Sequence, residues 1–393
     1  MLIIAMPFLA LFAFDASSTM PGLLGACTII LGAGALGFYA MTGGRYWAII
    51  LTTTVIAVFV ILFQSLVVSL FVAMDVQRVA GSVVAAIVVV ITGYLMRLIL
   101  QQTAPASLDR VLTGICIAFV TVGVLSILGI QPLKSDYSKP IFPFTEPSHF
   151  ALSFSPFLIY QCVRSSLPVR LAWLAIALLL ALLLQSLSLV VAVGLAAACC
   201  LSFSLLAGAL VGLSAVIGYL DISYFTDRLD FSVNTTNVST LVYIQGLELV
   251  EAGLRKTAGL GIGFQQLGVV PLNVPTSDLI YSINGDDANL RDGGFTAAKL
   301  IAELGFVGIG LIAVYLYALV KAVLALRALS SGLPGSAQER FALSVIAGLS
   351  IELFVRGGGY FTGTMVLMVP ASLMALEHGY LRIRRAAVRR LLP

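Results

Sequence analysis

The sequence predicts an all-α polytopic membrane protein of about twelve transmembrane helices, with one large external loop that contains short helices. Three observations carry that expectation. Of the 393 residues, 60% are hydrophobic and only 10% charged, at a mean hydropathy of +1.06. Soluble domains average about 45–50% apolar and about 25% charged residues. Apolar runs long enough to cross a hydrocarbon core of about 30 Å recur along the chain. The arginines of the short connections fall on one side once those runs are laid out as spans. Together these exclude a soluble enzyme, a nucleic-acid-binding domain and a disordered linker.

The spans are expected near residues 1–14, 20–41, 47–73, 79–100, 111–130, 148–163, 169–186, 187–202, 204–220, 295–328, 341–355 and 358–377. The chain then divides into about nine N-terminal spans over 1–220, a loop over 221–294, and about three C-terminal spans with a basic tail over 295–393. The first run has no basic n-region and no small-residue cleavage site, so it reads as a retained helix. Arg45, Arg97, Arg110, Arg164, Arg170, Arg327, Arg340 and the tail RIRRAAVRR share one face, which places both termini in the cytoplasm. The tail reads as a topology anchor against anionic lipid. The five cysteines lie within or beside apolar runs with no CxxC spacing, and there are two histidines, so neither a disulfide framework nor a metal centre is expected.

Chemistry is expected on the opposite face. The 74-residue loop 221–294 far exceeds every other connection, and loops of that length are usually functional. Within it, residues 239–256 have helical apolar spacing and read as a helix at the membrane surface. In FTEPSHFAL (144–152), Pro147 suits the first turn of a helix, with Thr145 or Glu146 as its cap. Glu146 and His149, three apart, then share one side of that turn. They read either as a cap with its interfacial partner or as an acid/base pair.

In GLGIGFQQLG (259–268), Gly259, Gly261 and Gly263 allow positive φ and a close approach of backbone amides to a ligand, or simply a tight turn. Asp286, Asp287, Arg291 and Asp292 crowd the entrance to the next span. Lys299 with Glu303, and Glu352 with Arg356, are spaced to neutralise each other along a helix. The loop carries nine acids against four bases. Carboxylates with aromatic neighbours suit hydroxyl-rich ligands such as sugars, with a few placed cations for a phosphate.

Four groups of residues carry a family likeness: Glu146-Pro147-Ser148-His149; Asn237, Ser239, Tyr243 and Gly246; Gly259, Gly261, Gly263 and Phe264; and Glu303, Gly305 and Gly308. With the large external loop between late spans, this resembles the bacterial O-antigen polymerase/O-antigen ligase superfamily, and most of all its exopolysaccharide or O-antigen repeat-unit polymerases. The resemblance implies a metal-independent membrane glycosyltransferase without cofactor in the bacterial inner membrane, with its active face and large loop periplasmic. Its substrate would be an undecaprenyl-pyrophosphate-linked oligosaccharide. Its surroundings would be membrane lipid, a chain-length regulator and a flippase.

Such a site needs cations for the pyrophosphate and a base near the acceptor hydroxyl. The candidates for the base are Glu146, His149 and Asp292. The candidates for binding pyrophosphate or glycan are Arg255, Lys256, Arg291, Gly259, Gly261, Gly263, Asp286 and Asp287, with Arg228 and Arg356 also on that side. The ligase branch carries a histidine before E-x-G-x-x-G, where this chain has Arg291-Asp292-Gly293-Gly294. That departure weakens the ligase reading, which stands as an alternative beside, from another class, a flippase of lipid-linked oligosaccharides.

Overall fold

The computed structural model describes residues 1–14, 19–42, 47–133, 139–208, 223–231, 235–285 and 293–391. Among them the chain is helical with no β-strand. Three helices are long and apolar enough to cross a membrane: α4 (Val76–Gln102), α5 (Pro105–Ile127) and α13 (Phe306–Ser330). Further apolar helices include α1 (Leu2–Phe14), α2 (Met20–Thr42), α3 (Trp47–Val68), α7 (Leu167–Leu183) and α8 (Leu187–Cys200). The expected span over 204–220 lies mostly outside the described residues. The segment 221–294 carries α9 (Ser223–Arg228), α10 (Val238–Lys256) and α11 (Pro275–Asn284). The helix read from the spacing over 239–256 is thus present as α10.

One expected span is corrected. Residues 295–328 form two helices, α12 (Thr296–Leu304) and α13, parted at Gly305 with φ +58° and ψ −131°. A Cβ there would lie 2.0 Å from the Gly259 carbonyl oxygen. The apolar run continues through the break, so hydropathy alone joined the two helices. The chain ends in α14 (Ala337–Phe354) and α15 (Gly363–Leu391), which runs without interruption into the basic tail.

Helix α6 (Pro147–Arg164) is the axis of the core, with every residue from Phe150 to Val163 buried. A helix apolar all round belongs inside a bundle, and α5, α7, α8 and α14 surround it. Pro156 deprives the Leu152 carbonyl of its helical donor. The Ser155 hydroxyl takes that role at 3.1 Å, as side chains do for prolines in apolar surroundings. Gly348 of α14 lets the two helices cross closely, because a Cβ there would come within 2.9 Å of Pro156. At the start of α6, Phe144 and Phe150 lean on Phe119 at 5.8 and 5.6 Å between ring centres, which fixes where the helix begins.

The far end of α6 is fastened by Arg170, buried to 9% exposure. Its Nε donates to the Cys162 carbonyl at 2.9 Å, and its Nη2 to those of Ser165 and Ser330 at 3.1 Å each. Its Nη1 donates to the Cys200 carbonyl. One guanidinium therefore closes the C-terminal ends of α6, α8 and α13, whose last carbonyls have no helical donor. Arg327 adds a bond to the Ala198 carbonyl at 2.5 Å, and Arg164 lies 3.7 Å from Asp109 at the start of α5. Arg164, Arg170 and Arg327, grouped on one side by the sequence, do gather at one end of the bundle. The five cysteines are buried free thiols.

Arg170→Met would strand these carbonyls in an apolar interior, at about 1–3 kcal/mol each where no other donor replaces it. The expected result is a fall in the thermal midpoint in detergent, with only part recovered by Arg170→Lys, whose ammonium cannot span the same fork. An unchanged midpoint in both variants would show that the carbonyls find other donors.

Candidate functional site

At the opposite end of the bundle, three helices begin side by side. Pro147 at the first position of α6 leaves Glu146 as its cap. Ser186 caps α8: its hydroxyl accepts from the Leu189 amide and donates to the Pro147 carbonyl, both at 3.3 Å. Asn237 caps α10, its side-chain oxygen accepting from the Ser239 amide at 3.0 Å. The Thr240 hydroxyl donates to the Arg228 carbonyl at 3.0 Å, tying the end of α9 to the first turn of α10.

These first turns line a cavity of about 240 Å³. Ser148 of α6, Ser188 of α8, and Ser239 and Thr240 of α10 face it, along with Arg228 and Arg356. Phe231 and Tyr243 form an aromatic wall, with the Tyr243 ring stacked on Phe295 at 4.5 Å and met edge-on by Phe231 at 6.0 Å. Helix N-termini carry unpaired amides and a partial positive charge. Three of them beside two guanidiniums make this the chain's anion-attracting concavity.

Glu146 stands on its rim. Arg356 holds one carboxylate oxygen through Nη2 at 3.2 Å and Nε at 3.3 Å, and the Ser148 hydroxyl donates to the same oxygen. His149 Nε2 lies 3.4 Å from that oxygen, while its Nδ1 shares a 2.8 Å hydrogen bond with the Thr145 hydroxyl. Burial opposes ionisation of Glu146, but the Arg356 and His149 charges and the hydrogen bonds from Ser148 and Arg356 outweigh it. They hold the carboxyl down to about 2.

The expected neutralisation of Glu352 by Arg356 is therefore corrected. Arg356 follows the end of α14 and turns to Glu146 instead. Gly357 makes that turn possible, since a Cβ there would lie 2.6 Å from the Thr296 amide. The Lys299 charge acts on Glu303 as the spacing suggested, and its ammonium sits over the Tyr360 ring at 5.4 Å.

Other sequence candidates are placed away from the cavity. Arg255 and Lys256 end α10, about 22 Å along the helix from Thr240 at 1.5 Å per residue. Arg255 pairs with Glu251 at 2.6 Å, and Lys256 donates to the Pro271 carbonyl at 2.8 Å. Gly259, Gly261 and Gly263 have φ of +89°, +77° and +102° as the spacing suggested, but their segment wraps a buried side chain of the protein itself. The Glu303 carboxylate accepts from the Gln265 amide at 2.8 Å and the Leu267 amide at 3.1 Å. The Gly263 amide donates to the Glu303 carbonyl at 2.9 Å, and a Cβ on Gly261 would sit 2.4 Å from that carbonyl oxygen. The loop's inward amides thus meet Glu303, where a ligand anion was expected. Asp286, Asp287, Arg291 and Asp292 lie outside the described residues.

Comparison with protein-family models, with curated proteins and with solved structures finds no match for this chain.

Replacing Arg356 by glutamine removes the nearest cation while burial remains. The Glu146 carboxyl should then titrate at least about one pH unit higher, a change of about 1.4 kcal/mol per unit in its protonation equilibrium. A depressed carboxyl stays paired above its ordinary range and loses that pairing only as pH falls through about 2. In the variant the loss moves up toward the ordinary range. Carbon-13 NMR of labelled glutamate, assigned with Glu146→Gln, reads the shift; an unmoved midpoint would mean that Arg356 does not set it.

Proposed function

We propose that this chain is a polysaccharide repeat-unit polymerase of about twelve spans in a bacterial inner membrane, working at the periplasmic face with both termini cytoplasmic. It would transfer a glycan from undecaprenyl pyrophosphate to a sugar hydroxyl of another lipid-linked repeat unit. The observation that supports this most is the cavity in which three helix N-termini, Arg228 and Arg356 surround an ionised Glu146 beside an aromatic wall. A diphosphate leaving group needs fixed positive potential where its charge develops, and sugar rings suit aromatic faces lined with hydroxyls. The four motif groups that resemble the O-antigen polymerases add to the reading, and two of them, through Glu146 and Ser148 and through Ser239 and Tyr243, line the cavity.

In this reading the diphosphate of the donor lies against Arg228 and the first turns of α8 and α10. The acceptor hydroxyl enters beside Glu146. Its oxygen bonds to the anomeric carbon while the bond from that carbon to the diphosphate oxygen breaks, and the electron pair leaves on the diphosphate. The acceptor proton passes to the Glu146–His149 pair. A carboxylate held near pH 2 is a weak base alone, so the imidazole 3.4 Å behind it is the group that keeps the proton. Arg356 orients Glu146 through a two-pronged contact. Arg291 and Asp292, outside the described residues, remain candidates from the sequence, and membrane lipid, a chain-length regulator and a flippase remain the expected neighbours.

Arg228→Ala and Arg356→Ala should each lower polymer formation on the order of 10²–10³-fold, the usual cost of removing a charge-stabilising donor. Arg255→Ala and Lys256→Ala should stay within a few-fold of wild type, and Glu146→Gln should abolish polymer at equal expression. Deletion in the native host, with analysis of surface and lipid-linked glycans, tests the reaction itself. Loss of long polymer with single repeat units on the periplasmic carrier supports the polymerase. Long polymer retained on the carrier would mean a ligase, and units trapped on the cytoplasmic face a flippase.

A further inference from the structure

Behind the Glu146–His149 pair lies a second, smaller cavity of about 30 Å³, lined by His149, Ser153, Glu352, Thr362 and Thr364 among others. Phe8 of α1 closes it, its ring 5.1 Å from the imidazole. A cavity holds a water when it exceeds about 10–15 Å³ and offers two or more polar partners. This one meets both conditions.

Glu352 is 1% exposed within α14. The Thr362 hydroxyl donates to its Oε1 at 2.6 Å, and the Thr364 hydroxyl donates to Oε2. Among the described residues no cation lies within ion-pair distance of it, because Arg356 is spent on Glu146. From α13, Tyr315 faces it, with its hydroxyl donating to the Ile346 carbonyl at 2.7 Å. From α15 the facing groups are the two threonines, and from α6 it is His149. Glu146 and, beyond it, Arg356 face His149. A carboxyl buried in an apolar helix with hydroxyl partners only is costly, and such groups usually handle protons or ions.

The geometry points to Glu352 as a proton store for His149, reached through one water in the smaller cavity. This rests on the reading above, in which His149 receives the acceptor proton. The proton leaves the acceptor hydroxyl as its oxygen bonds to the anomeric carbon, and moves from the Glu146–His149 pair through the water to the Glu352 carboxylate. It returns by the same route to the pair and leaves on the departing diphosphate, so both groups are regenerated and nothing is oxidised. The store keeps the imidazole ready to accept the proton while the arginines hold the anion.

The chain's two histidines make this measurable. Full-length protein carrying His378→Gln has one imidazole, and nitrogen-15 NMR of labelled histidine reads its titration. Linked groups titrate in more than one step, so the His149 curve should be spread in the otherwise wild-type chain. Glu352→Gln should collapse it to a single step. Ser153→Val, which fills the cavity and leaves both titrating groups in place, should do the same if glutamine disturbs the fold. Each change should also lower the rate of polymer formation about tenfold and move its pH profile. A curve that is single-step from the start, or rates and profiles unmoved by both variants, overturns the store and leaves the polymerase reading standing. Undiminished polymer from Glu146→Gln overturns the polymerase reading whatever the imidazole does.

Discussion

The arrangement depends first on one guanidinium. Arg170 binds carbonyls from the last turns of α6, α8 and α13, so these helices must end together and point the same way. Parallel helices that share their C-terminal level bring their N-terminal ends to the opposite side of the bundle. There the Ser186 hydroxyl, bonded to the Pro147 carbonyl, sets the starts of α6 and α8 in contact. The positive ends of two helices, unfavourable neighbours by themselves, are held together by packing along α6 and by the Glu146 carboxylate at its cap. The concavity's affinity for negative charge thus originates in a contact made across the full length of the bundle.

A second fixed point joins the segment 221–294 to the helices packed against it. Glu303 is fully buried and takes the Gln265 and Leu267 amides, while Gln64 of α3 donates to the Leu260 and Glu303 carbonyls at 3.0 Å each. The glycines of 259–263 are small because α12, the Gly305 turn and Met74 occupy the space that side chains would need. Across α10, Gly246 and Gly253 let α12 approach in the same manner. The site's aromatic wall rides on this framework, since Phe295, on which Tyr243 stacks, caps α12.

Much of this was legible in the residues. Hydropathy located several apolar helices to within a few positions, and Arg164, Arg170 and Arg327, grouped by the sequence, meet at one end of the bundle. The helix start at Pro147 and the pairing of Glu146 with His149 followed from proline and helical spacing, while the structure chose Glu146 over Thr145 as the cap. What sequence could not give was any partner distant along the chain. Glu352 and Arg356 sit at a spacing that favours pairing within a helix, yet α14 ends between them and Gly357 swings the guanidinium toward a residue 210 positions away. Gly259, Gly261 and Gly263 signalled positive φ correctly, but the same pattern serves a ligand anion or the protein's own carboxylate. Only the burial of Glu303 decides between them here. Ser186, which registers α8 against α6, carried no signal beyond being a serine before an apolar run.

The Arg170 contact also orders the chain's birth. Cys162 and Ser165 emerge from the ribosome just before Arg170 and Cys200 soon after it, but Ser330 follows 160 residues later. Until α13 arrives, one prong of the guanidinium has no helical carbonyl from that strut, and the three ends are not yet level. A nascent chain halted within the segment 221–294 would therefore hold α6 and α8 without their last brace. The concavity becomes whole only when the final third of the protein has been inserted.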